Sequence, residues 1–184
     1  SILAAINHRR NTGKGQYINL SQAENVIVAI PQAFMDYSMN GTVRERLGNR
    51  QQGVVQGCYE CAGDDNWVVL TISTDDQWKD FCLLIGMPEL VSYPRFASGI
   101  ARWNNHDEID AVISEWTKEL DHYEVFHKLR ELGIAAGPVI KPQEVFDDPH
   151  IKARGFYEAH EHPMIGGPYM YPGPVFDLSE TPMR

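Results

Sequence analysis

The sequence predicts an α/β protein, and three observations carry that reading. Short runs of β-branched and aromatic residues, at 58–62 and 67–72, read as strands. Longer stretches repeat apolar residues at helical spacing, and glycine, proline and asparagine mark the junctions between the two kinds. Composition agrees: of 184 residues, 43% are hydrophobic and 22% charged, the usage of an ordinary folded domain rather than a disordered tail.

Taken in order, residues 1–6 start within an apolar helical pattern, and Thr12-Gly13-Lys14-Gly15 is a turn before an alternating, strand-like stretch at 16–20. Ser21 and Glu24 form a Ser-x-x-Glu capping box for a helix carrying Val26, Ile27, Ile30 and Phe34, which Pro31 kinks or divides. Residues 40–57 lose periodicity and gather Gly41, Gly48, Gly53 and Gly57, so they read as linker and loop. Gly63-Asp64-Asp65-Asn66 joins the two strand-like runs as a hairpin turn. Thr74 caps a helix with Trp78, Phe81, Cys82 and Ile85 on one face, stopping at Gly86. Residues 106–120 and 122–132 are amphipathic helices, the first turning Ile109, Val112, Ile113 and Trp116 inward, the second Val125, Phe126, Leu129 and Leu132. A short extended segment at 134–140 and a helix starting at Pro142 follow, then strands after Gly155. Around Gly166-Gly167-Pro168 and Pro172-Gly173-Pro174 the tail reads as a hairpin tip and extended linker. The chain opens within a helical pattern and runs out in a loop signal, so a fragment of a longer protein is expected.

Several function classes are excluded by charge and pattern. A formal net charge of −9, spread through mixed-sign segments, opposes binding to phosphate backbones, so no nucleic-acid partner is expected. The longest apolar runs fall far short of the roughly 20 residues that cross a bilayer, so no membrane association is expected. Cys58, Cys61 and Cys82 are an odd count that suits a reducing compartment, and a cytoplasmic location is expected. Cys58 and Cys61 lie three apart on a strand-like run, where alternation sends them to opposite faces, and no metal site is assigned to them.

An ordered series of short matches runs along the chain: Thr12-Gly13-Lys14-Gly15-Gln16, Gly48-Asn49-Arg50, Gly57-x-Tyr59, Trp67-Val68-x-Leu70, Asp76-Gln77-Trp78, Pro94-Arg95-Phe96, Gly137-Pro138-Val139, Asp148-Pro149-His150 and Ala153-Arg154-Gly155-Phe156, closing with His162-Pro163 and Pro172-Gly173-Pro174. In this order they resemble the family III CoA-transferases of the CaiB/BaiF type, which include formyl-CoA and carnitine CoA-transferases. The resemblance implies a Rossmann-like large domain built from both chain ends, an α+β small domain between them, and two interlocked subunits. It divides this chain into residues 1–40, the strand and connecting helix ending the large-domain region; 41–56, a linker and glycine loop; 57–160, the small α/β domain; and 161–184, a return linker. A homodimer is expected.

The activity the resemblance implies is movement of CoA from an acyl-CoA to a carboxylic acid. A family aspartate attacks the thioester, giving a mixed anhydride and then an enzyme-bound CoA thioester. That aspartate lies in a Gly-Asp shortly before the Thr-Gly-Lys-Gly-Gln turn. No aspartate occurs between Ser1 and Thr12, so the nucleophile is expected upstream of Ser1 and the chain alone is expected to be inactive. No covalently bound cofactor is implied; the CoA thioester is a substrate. By order, the loop that folds over the family's site falls here at Gly48, Gly53, Gln56 and Gly57, although Arg50-Gln51-Gln52-Gly53-Val54-Val55 lacks the continuous glycine run of formyl-CoA transferases. Two alternatives stand beside this: an α-methylacyl-CoA racemase of the same fold, and a noncatalytic binding or oligomerisation module.

The remaining chemistry-bearing residues have plainer readings. His160 and His162 share a face if the strand is regular and could meet a metal, but an exposed strand end accounts for them. His106, His122, His127 and His150 stand near helix starts, where capping and surface placement explain them. Paired acids at Asp64-Asp65, Asp75-Asp76 and Asp147-Asp148 suit turns and caps. Arg44, Arg46 and Arg50 form a small basic group, either solvated or meeting CoA phosphates.

Overall fold

Helical spacing before Gly48 and mixed strand and helix patterning after it correspond to two units. The computed structural model describes residues 1–176 and 178–181, and the chain divides into Ser1–Leu47 and Gly48–Arg184.

The first unit holds α1 (Ile2–Thr12), α2 (Gln22–Ala29) and α3 (Pro31–Asn40). Gly13 ends α1 in the left-handed region at φ 72°, which a glycine adopts without steric cost. Ser21 caps α2 by accepting a 3.3 Å bond from the Glu24 N–H. Pro31 divides the apolar stretch rather than kinking it: α2 stops at Ala29, and Pro31 opens α3, where its missing N–H costs nothing. The expected strand at 16–20 does not form, since among the described residues nothing pairs with it. None of the three helices buries a residue, and Leu3, Val28, Met39 and Val43 are each at least three-quarters exposed.

The second unit is organised by an antiparallel sheet, β1 (Val55–Glu60), β2 (Trp67–Ile72) and β3 (Ala135–Val139), in that order. Period-two alternation sends Val55, Gly57 and Tyr59 of β1, and Val68, Leu70 and Ile72 of β2, to the covered face. Packed there are α4 (Asp75–Leu84), α6 (His106–Thr117) and α7 (His122–Glu131), which bring Trp78, Phe81, Ile109, Ile113, Val125 and Leu129 into one core. Each such side chain contributes about 1.5–3 kcal/mol on burial. A 3-10 turn (Pro88–Ser92) and α5 (Gly99–Asn104) connect α4 to α6. Arg102 of α5 is buried, donating 2.9 Å to the Phe96 carbonyl, paired with Asp75 and lying over the Trp78 ring.

Beyond β3 come α8 (Pro142–Asp147) and α9 (Pro149–Ala153), then an antiparallel hairpin of β4 (Tyr157–His162) and β5 (Gly166–Pro172). The turn lies at 163–165, so the glycines read from sequence as a hairpin tip belong to β5 itself. A register shift between His160 and His162 breaks the alternation that would have aligned the two imidazoles. His162 Nδ1 instead accepts a 3.2 Å bond from the Met164 N–H.

Candidate active-site cleft

Opposite the helices, the second unit carries a cleft of about 550 Å³. Gly48 and Asn49 line one side, and adjoining rows of the sheet line the rest. In those rows Gln56 faces Thr71 and Thr71 faces Ala135; Gly57 faces Leu70 and Leu70 faces Ala136; Val69 faces Gly137. Ala135 and Gly137, which share the open face with Thr71 and Val69, leave the volume that larger side chains would fill.

Gln56 is the polar group best fixed in the cleft. Its Nε2 donates 3.2 Å to the Asn49 carbonyl, and its Oε1 accepts 3.3 Å from Thr71 Oγ1. A carbonyl can only accept, so the amide nitrogen must face Asn49, which sets the orientation. One N–H and one lone pair of the amide remain for a ligand. No charged side chain lines the cleft.

Next to the cleft, α6 supplies a second polar cluster. Tyr59 Oη donates 2.6 Å to Asp110 Oδ1, and the Arg50 guanidinium pairs with both Asp110 and, at 2.6 Å, Asp107. His106 is buried one helical turn before Asp110, with Nδ1 3.1 Å from Asp110 Oδ1 but off the hydrogen-bond axis. Its Nε2 accepts from the Gln56 backbone N–H at 3.4 Å. Burial first, and the Asp110 carboxylate second, push the Tyr59 phenol well above its ordinary pKa, so Tyr59 stays a neutral donor. The bond to Asp107 raises the Arg50 pKa, burial opposes it, and the bond to Asp110 adds to the rise.

Of the four loop residues read from sequence, Gly48, Gln56 and Gly57 line the cleft and Gly53 does not. Gly48 and Gly53 have φ 63° and 86°, the left-handed conformations that favour glycine. Gln56 and Gly57 lie in β1 rather than in a loop, and Gly57 needs no positive φ. Its value is steric, because the Tyr59 ring lies over it. Two arginines of the basic group are held in ion pairs: Arg50 as above, and Arg44 with Asp36 at 3.1 Å. Asp36 also accepts 2.9 Å from Asn40, and that bond first, then Arg44, holds its carboxyl below the usual pKa.

Sequence reasoning placed His106 and His122 at the surface, yet both are buried. His122 lies 3.3 Å from both Asp121 and Glu144. A signal for His106 was present: His106, Ile109 and Ile113 stand at i, i+3 and i+7, the inward face of α6, with Asp110 beside them at i+4. Among the described residues no group of three or more His, Cys, Asp or Glu is placed to hold a metal ion, and no helix is long and apolar enough to cross a membrane.

A helix-backed antiparallel sheet with a cleft on its open face places the chain in the α/β class. The chain belongs to CoA-transferase family III, whose model matches residues 1–184. It is 32% identical, over 99% of its length, to a probable CoA-transferase of Mycobacterium tuberculosis, of which it covers 23%. It is 30% identical, over 83% of its length, to the succinyl-CoA–D-citramalate CoA-transferase of Chloroflexus aurantiacus, covering 38% of that protein. Among solved structures, a CaiB/BaiF family protein from Brucella suis superposes with a TM-score of 0.75 at 28% identity, over 86% of this chain and 42% of that one. The chain therefore spans less than half the length of these relatives.

Proposed function

We propose that this chain supplies the small-domain side of a CoA-transferase site, at which CoA passes from an acyl-CoA to a carboxylic acid. The observation that carries the reading is the cleft itself, where Gly48, Gln56 and the backbone of Gly57 meet on the open side of the sheet. These are residues at which the family resemblance puts a loop over the reacting groups. The lining is neutral, with an amide, a hydroxyl and backbone groups. That chemistry suits the acyl end of the substrate better than the CoA phosphates, which call for Arg or Lys donors. The attacking carboxylate comes from outside these 184 residues, because none lines the cleft and Asp36 is already held by Asn40 and Arg44. In this reading residues 1–40 are the arm of a large domain and 57–160 the small domain, acting as a cytoplasmic homodimer whose partner covers the apolar face of the arm.

Backbone amide NMR during titration with succinyl-CoA tests the placement. Millimolar-range binding that shifts Asn49, Gln56, Gly57, Thr71 and Gly137 is expected. Shifts confined to other surfaces would remove the cleft from the site.

A further inference from the structure

We propose that Asp110 is the positioning residue of this cleft, joining Arg50, Tyr59 and His106 so that Gln56 is docked with its side-chain amide presented to a ligand. The proposal rests on the reading of the cleft as an acyl-CoA site and identifies what holds that site in shape.

Asp110 gathers groups from three parts of the chain. Its Oδ2 takes the Arg50 guanidinium from the loop, and its Oδ1 takes the Tyr59 hydroxyl from β1 at 2.6 Å. His106, the first residue of the same helix, sets Nδ1 3.1 Å from Oδ1. The opposite ring nitrogen, Nε2, accepts the Gln56 N–H. An imidazole nitrogen that accepts a hydrogen bond carries no proton, so the proton of the neutral ring must sit on Nδ1, on the side of the Asp110 carboxylate. The bond to Gln56 sets this tautomer, and the negative Asp110 carboxylate, 3.1 Å from Nδ1 though off the hydrogen-bond axis, lies on the protonated side of the ring. Gln56 then turns its side chain to Asn49 and Thr71 inside the cleft.

The same contacts limit how the loop moves. It is clipped by Arg50 at one end and by Gln56 at the other, which leaves residues 51–55 between the clips, of which 51–54 precede β1. Gly53, at φ 86°, lies in that interval. Asp110 therefore acts through the loop and Gln56, without itself lining the cleft.

Imidazole nitrogen NMR and amide hydrogen exchange on the 184-residue chain, without ligand, test this. In the unaltered protein at neutral pH, His106 is expected to carry its proton on Nδ1 with Nε2 bare. Asp110→Asn is expected to shift that tautomer and to speed exchange at Gln56 by about tenfold, leaving Val68 and Leu70 of β2 unchanged. If Asp110→Asn does not fold, Arg50→Gln carries the exchange test, with faster exchange expected at 50–54 alone. A protonated Nε2 in the unaltered protein would overturn the proposal, as would unchanged exchange at Gln56, or at 50–54 in Arg50→Gln, or equal acceleration in β2. None of these readouts needs CoA, so failure of succinyl-CoA to reach the cleft counts against the functional reading alone.

Discussion

Gly57 lies directly beneath the Tyr59 ring: a Cβ on Gly57 would fall 2.4 Å from Tyr59 Oη and 2.5 Å from Cζ. Both residues point to the covered face of β1, two positions apart, and the ring leans along the strand into the space the glycine leaves. Gly57→Ala must push a buried ring off its bond to Asp110. A loss of about 1–3 kcal/mol is expected, the usual cost of overpacking. Urea unfolding of the variant measures it, and unchanged stability would mean that the ring moves freely.

Tyr59→Phe keeps the packing and removes only the hydroxyl. Because that hydroxyl donates to an ionised carboxylate, the loss is expected to be about 1.5–3 kcal/mol. Asp110 keeps the Arg50 pair, so the fold should persist. Thermal unfolding with the same midpoint as the unaltered protein would contradict the account.

Burial of two thiols weakens the fold at alkaline pH. Burial pushes Cys61 up to about 11 and Cys82 up to about 12 from an ordinary 9.0. Between pH 9 and those values the folded chain holds protons that the unfolded chain releases, so stability falls as pH rises through that window. Native labelling at pH 8 is expected to reach Cys58 first, with Cys61 and Cys82 protected until unfolding. Rapid native labelling of Cys82 would contradict its burial.

Much of the fold was legible because local rules decided it. Ser21, Thr74 and Gly13 terminate helices by chemistry confined to a few residues, and the pairing of 67–72 follows from alternation and a strong turn. The stretch at 16–20 misled because alternation describes a strand only where another strand pairs with it. The site was half legible. Gly48 and Gly53 announce a left-handed backbone, and Gln56 and Gly57 fell within the segment named by resemblance. Asp110 was not legible as a hub, because its partners Arg50 and Tyr59 lie 60 and 51 positions away in sequence. His106 was misjudged for another reason: its position at a helix start outweighed its place on the inward face.

The first unit exposes Leu3, Val28, Met39 and Val43 without a residue buried in its helices. Surfaces of that kind are covered in assemblies, and equilibrium sedimentation at micromolar concentration is expected to show self-association, most simply a dimer. Charged replacements at Val28 and Met39 should weaken it. A monodisperse monomer of the unaltered chain would refute the expectation.

The claim that this chain supplies the cleft but not the attacking carboxylate is tested most directly by exposing it to succinyl-CoA and acetyl-CoA with a range of carboxylic acids. CoA exchange and intact mass are followed together, since covalent transfer leaves an adduct on the attacking group. The account predicts no exchange and no mass increase. Turnover, or a CoA adduct mapping to a carboxylate of this chain such as Asp36 or Asp64, would contradict it.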